Sequence, residues 1–202
     1  DGTRSISCKA GCGACCRQLV PLSPPEAWMI ADVVRSMPEE RRTAVLERFH
    51  AVLVALNESS LVGRSLSERD APEVVGEVAA EFFDLGLACP FLEDESCSIH
   101  PQRPSVCREF LVTSPASECI QIRSKVTRRV PTAMRVSEAL ARVTAKLLGR
   151  EIEIVPMHMA LDWARAHEEE GQRTYDGKML LEAFFAEAQE CQLGLEAPPT
   201  AT

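Results

Sequence analysis

The chain has 202 residues, of which 46% are hydrophobic and 26% charged, a balance that suits an ordinary globular protein with a real core. Aromatic residues make up only 5%, so Leu, Val, Ala and Ile must fill that core. The formal net charge of −8 argues against broad, nonspecific binding to nucleic acid or a membrane surface. No apolar run approaches the roughly 20 residues of a spanning helix, and no apolar stretch near Asp1 reads as a signal peptide, so the expected compartment is the cytoplasm.

Four of the nine cysteines, Cys8, Cys12, Cys15 and Cys16, stand within nine residues in the pattern C-x3-C-x2-C-C. Gly11 and Gly13 are expected to let this stretch curl through left-handed turns around an ion, with backbone N–H groups aimed at sulfur. Neighbouring side chains ordinarily diverge, so Cys15 and Cys16 should serve two nearby metals, or one should ligate while the other packs inside.

A first helix follows, capped by Ser23 with Pro24, Pro25 and Glu26 in its first turn, and stopped by Pro38. A second runs over about 39–57, with Val45, Phe49, Val52 and Leu56 at helical spacing. Residues 59–76 contain Gly63, Pro72 and Gly76 and read as loop, with helix returning around Val78–Phe83. Cys89–Leu92 and Cys97–Ile99 flank the acidic turn Glu93–Ser96, which suggests a small hairpin. A short helix from Pro104 carries Cys107, and Cys119 lies beyond Ser114-Pro115. Then come a helix over about 131–148 closed by Gly149, a short strand at 152–155, and helices over about 157–169 and 178–193.

The expected fold is therefore mainly α, with a small, irregular cysteine-rich hairpin region: a metal-stapled helical domain. Residues 1–125 form the cysteine-cluster portion, 126–195 a helical extension packed on it, and 196–202 a disordered tail.

Eight thiols in two clusters, Cys8, Cys12, Cys15, Cys16 and then Cys89, Cys97, Cys107, Cys119, have the short spacings of metal sites; Cys191 stands apart. Zinc and iron–sulfur clusters are the leading occupants, because both accept four thiolates. Arg103 and Arg108 flank Cys107 and would offset the charge of a multi-thiolate centre; ion pairing with Glu109 or the acidic turn is the plainer role. His100 is either a ligand or a turn histidine. The run Arg123, Lys125, Arg128, Arg129, Arg135 is a candidate site for an acidic partner, a phosphate or a nucleic acid, although most charge runs are solvated surface.

The set C-x3-C-x2-C-C, Cys89-Pro90-Phe91-Leu92, Cys97-Ser98-Ile99-His100 and Arg103-Pro104-Ser105-Val106-Cys107-Arg108 resembles the YkgJ-type cysteine-cluster family over about residues 8–119. The resemblance implies a zinc- or iron-chelating domain. Some relatives carry the description flagellin lysine N-methylase, a branch for which iron–sulfur binding has been proposed. His100 departs from the tyrosine that relatives often show there. C-x3-C-x2-C is also the spacing of radical S-adenosylmethionine enzymes. Ala14 replaces their usual aromatic residue, and no strand precedes Cys8.

Three functions follow as expectations. In the first, an iron–sulfur centre on all eight clustered cysteines acts as cofactor for redox or group-transfer chemistry on an unidentified small molecule or protein. In the second, structural zinc supports an adaptor without catalysis. In the third, the cysteines form disulfides in an exported protein. The vicinal pair and the resemblance favour iron.

Overall fold

The computed structural model describes residues 5–59, 61, 72–124 and 126–192. Lys125 and the expected tail at 196–202 lie outside the described residues, as does most of the expected loop. The protein is mainly helical, with two very small antiparallel sheets.

Helix α1, Pro24–Arg35, begins with a complete capping box. The Glu26 carboxylate accepts from the Ser23 backbone N–H at 3.0 Å and the Ser23 hydroxyl at 2.7 Å. Helix α2, Glu39–Asn57, buries Val45, Phe49 and Val52 at i, i+4 and i+7. Helix α3, Pro72–Asp84, starts earlier than the loop signals suggest. Pro72 suits a first helical position, and Gly76 merely lowers helical propensity without ending the helix.

The hairpin is shorter than its flanking sequence implied: β2, Leu92–Glu93, pairs with β3, Ser96–Cys97. Asp94 and Glu95 take φ of 48° and 56°, the left-handed pair that a two-residue hairpin turn requires. Helix α4, Ser105–Glu109, carries Cys107, and a 3-10 turn, Ala116–Ile120, carries Cys119.

Helix α5, Val136–Leu148, starts five residues later than its periodicity suggested, because a distant carboxylate caps it. Glu109 accepts from the Ser137 N–H at 3.0 Å and its hydroxyl at 2.7 Å. Gly149 ends it in the left-handed conformation at φ 65°. The late strand contracts to β4, Val155–Pro156, which pairs with β1, Pro21–Leu22. The expected helix at 157–169 is broken into a 3-10 turn, then α6, Ala160–Ala166, and α7, Glu168–Gly171. The break falls at His167, whose ring contacts the Trp163 carbonyl. Helix α8, Gly177–Gln192, packs on α5.

The main core joins both ends of the chain. Leu22, Ala27, Ile30 and Val34 meet Val45 and Phe49 of α2, Val155, Met157 and Ala160, and also Phe91 and Ile99 from either side of the hairpin. Phe49 and Phe91 meet edge to face, 5.5 Å between centroids. The cysteine region is thus pinned by two fully buried apolar side chains. Among the described residues, no helix is long and apolar enough to cross a membrane.

Candidate metal centre

The N-terminal loop folds back onto the hairpin through a dense set of short-range contacts. Gly11 has φ of 79°, and its N–H donates to the Ser96 hydroxyl at 3.0 Å. Gly13 is not left-handed, contrary to expectation: its φ is −94°. It is required for a different reason. A Cβ there would stand 2.5 Å from Glu95 Oε2 and 2.7 Å from Leu92 Cδ1, so only glycine lets the loop lie this close to the turn. Arg17 clamps the same turn with a two-pronged bond to Glu95, at 2.9 and 2.6 Å. The Cys89 N–H donates to the Cys16 carbonyl at 2.7 Å, which ties the two clusters together at the backbone.

A second set of contacts joins the loop to the far side of the cysteine region. The Ser7 N–H donates to the Val112 carbonyl at 2.9 Å, and Val112 in turn bridges to Arg129. The Gln18 amide donates to the Cys119 carbonyl at 3.3 Å, where the 3-10 turn Ala14–Arg17 lies against Ala116–Ile120.

Cys15 and Cys16 sit on that first 3-10 turn and do not diverge. Their side chains hydrogen-bond each other, because the tight turn overrides the usual splay of adjacent residues. The bond from Cys16 holds the Cys15 thiol down at about 6, with Arg103 adding to the effect; Cys16 is pushed up, because it keeps the shared proton. Burial pushes Cys89 up to about 11 and Cys107 up to about 12, and raises Cys97 as well. The charges of Cys15, Cys89 and Cys97 also repel one another and Cys107. Cys119 is raised first by burial, then by Cys12, Cys8 and Cys15. None of the nine cysteines is paired in a disulfide.

The arginines divide their work. Arg103 acts on Cys15, Cys97 and Cys107, opposing their repulsion. Arg108 donates instead to the carbonyls of Arg103 at 2.8 Å and Pro101 at 2.6 Å, bracing the loop that presents Arg103. His100 is exposed on a 3-10 turn. Arg123 pairs with Asp84 and Arg135 with Glu138, while Arg129 lies over the Phe110 ring, 4.5 Å from its centroid.

The CxxCxxCC family, described as "Putative zinc- or iron-chelating domain", matches residues 7–131, more than half of the chain. The chain belongs to that family. Comparison with curated proteins and with solved structures found no match. The CxxCxxCC segment contains all eight clustered cysteines and leaves out Cys191, which is buried with Ala139 and Ala188 between α5 and α8.

The donor set of this CxxCxxCC domain suits the family's metals, since soft thiolates select zinc and iron centres. Among the described residues, no three Cys, His, Asp or Glu side chains already form a metal-ligand set. The thiols converge to the range where their charges interact, and a metal would draw them the rest of the way while displacing their protons.

Sequence reasoning missed several side chains around the thiols. Arg48 of α2 lowers Cys89, bonds Glu93 at 2.7 Å, and carries a buried Nε without a partner. Nothing in its sequence neighbourhood marks it, because it reaches the site across the helix packing. Arg17 was findable, since a cation directly after Cys16 is well placed to fold onto the acidic turn.

Proposed function

We propose that this CxxCxxCC domain holds iron as an iron–sulfur centre on its clustered cysteines, serving redox or group-transfer chemistry on a small molecule or protein. The observation that carries the reading is the number of thiols whose charges act on one another. Cys15, Cys16, Cys89, Cys97 and Cys107 are five, one more than a tetrahedral zinc site uses. The hydrogen-bonded Cys15–Cys16 pair also suits a multinuclear centre, in which adjacent sulfurs reach neighbouring metals. Arg103 supplies the positive charge that such a thiolate-rich centre needs.

The test is metal and sulfide analysis of the anaerobically isolated protein, with an electronic spectrum. Brown protein with iron, acid-labile sulfide and broad visible absorbance supports the reading. Colourless protein with stoichiometric zinc overturns it in favour of a structural zinc module.

A further inference from the structure

We infer that the backbone edge at Arg129 is a docking site for an extended, acidic peptide segment of a partner protein. The inference rests on the iron–sulfur reading above only for what that partner would be brought to; the docking itself stands on separate observations.

Three stretches of backbone lie side by side at this point. The Thr113 N–H donates to the Arg128 carbonyl at 3.0 Å and the Val130 N–H to the Leu111 carbonyl at 2.8 Å, on either side of the antiparallel bridge between Val112 and Arg129. In such a pattern the two bridging residues turn their own N–H and C=O groups away from each other. On the Val112 side the chain itself fills the outward position, because the Val112 carbonyl accepts from the Ser7 N–H at 2.9 Å. On the other side, among the described residues, nothing pairs with the Arg129 N–H or C=O. Arg129 is exposed, so this edge is open, and an extended chain laid along it would recover both bonds.

Charge indicates what that chain carries. Successive residues in extended backbone point to opposite faces, so Arg128 and Arg129 place one guanidinium on each side of the edge. The Arg129 guanidinium is seated over the Phe110 ring, 4.5 Å from its centroid. Arg135 stands close by. Glu109, the neighbour of Phe110, holds Ser137 two residues after Arg135, and the charges of Arg129 and Arg135 repel. Among the described residues, no carboxylate pairs with Arg128 or Arg129. Arg135 reaches Glu138 at 3.4 Å, but Arg142 binds that same carboxylate at 2.9 Å. Three cations with one shared anion, on a chain of net charge −8, form a local excess that an acidic segment would offset.

Other occupants fit less well. A nucleic acid has no peptide groups to complete the edge, and the net negative charge of the chain repels it. A second copy pairing edge to edge about a two-fold axis would set its arginines against these. A docked peptide would lie three strand spacings, roughly 15 Å, from Ser7 and the stretch that leads into Cys8. That is near enough for adjoining residues of the partner to reach the thiols.

The experiment titrates the full chain, isolated anaerobically, into a short fluorescein-labelled peptide of alternating Glu and Thr. Anisotropy reads binding, and metal and sulfide are measured on the same sample. Expected are saturable binding and slowed amide exchange at Arg129 in the presence of unlabelled peptide. Two adjacent prolines at the centre of the peptide, which remove donors facing either way, should weaken binding about tenfold. Arg129→Glu should weaken it at least about tenfold and Arg128→Gln about threefold, with metal content unchanged. Should Arg129→Glu fail to fold, Arg128→Gln and the wild-type amide exchange still decide. The docking site is overturned by absence of binding, by unchanged Arg129 exchange, or by equal binding of the proline peptide. Tighter binding of a Lys-Thr peptide or of a single-stranded oligonucleotide overturns it as well. Iron–sulfur protein that ignores the acidic peptide overturns the docking alone, whereas zinc protein that binds it overturns the iron reading alone.

Discussion

The helical core and the cysteine region are held together by different physics. Around α1, α2 and α6, apolar side chains such as Ile30, Val45 and Ala160 are wholly removed from water, and helix packing would persist without any bound group. Around the thiols, strands are two residues long, α4 has five residues, and the connections are polar bonds, a glycine-permitted close approach and the sulfurs themselves. Among the described residues, Phe91 and Ile99 are the buried side chains that extend the core into this region, with Cys89 and Cys97 packed against it. A chain can therefore keep its helical half on burial alone while its cysteine half depends on what the thiols hold.

The largest single blow to both halves should be Phe91→Ala, since this ring is 1% exposed and packs on Phe49. We expect a loss of about 3–5 kcal/mol in urea unfolding, equal with and without metal. Next comes the metal. Cys97→Ser, or exhaustive chelation, removes a link across the 72 residues between Cys16 and Cys89 and should lower stability by about 4 kcal/mol in the chain-entropy view. Protease digestion should then open residues 5–17 before it touches α1. Equal loss of both segments would erase the distinction between the halves.

The thiol protons make the same region pH-sensitive. Metal must displace protons held by Cys89 and Cys107, so apparent affinity should rise with pH, about tenfold per unit for each proton released. In metal-free protein those thiols titrate near 11 and 12 folded, against 9.0 when unperturbed. The stabilisation is thus fully present below pH 9 and is lost as pH rises toward 11–12. Melting curves of metal-free protein should decline over that interval. A flat profile would mean that these thiols are not buried as described.

Smaller effects locate the seam between the halves. Glu26, 5% exposed, bonds Ser23 of its own cap and also the Ser105 N–H of α4 at 2.6 Å. Glu26→Ala leaves buried donors unsatisfied and should cost about 1–3 kcal/mol, with reduced metal affinity as a second readout. Arg17→Ala removes an ion pair whose partners are 32% and 51% exposed, so we expect at most about 1 kcal/mol, vanishing in high salt.

Much of the helical half was legible beforehand. The Ser23 cap, the Pro24-Pro25 start and the spacing of Val45, Phe49 and Val52 mark α1 and α2, because helix formation and amphipathic burial are local and periodic. Gly149 likewise marks the end of α5, but its start depends on Glu109, 28 residues away. The periodicity of α5 carries no trace of that partner. In the cysteine half, the acidic turn and the α4 start at Pro104 could be read from local signals. The Cys15–Cys16 contact and the presence of Arg48 could not.

By itself the chain dictated where thiols, helix caps and apolar faces stand, since these follow from side-chain chemistry and short-range geometry. Which thiols face one another, why Gly13 must be glycine, and which arginine meets which sulfur were decided only when α1, α2 and the hairpin closed around one core. Charge interaction and close approach depend on distance in space, and sequence separation carries no information about that distance.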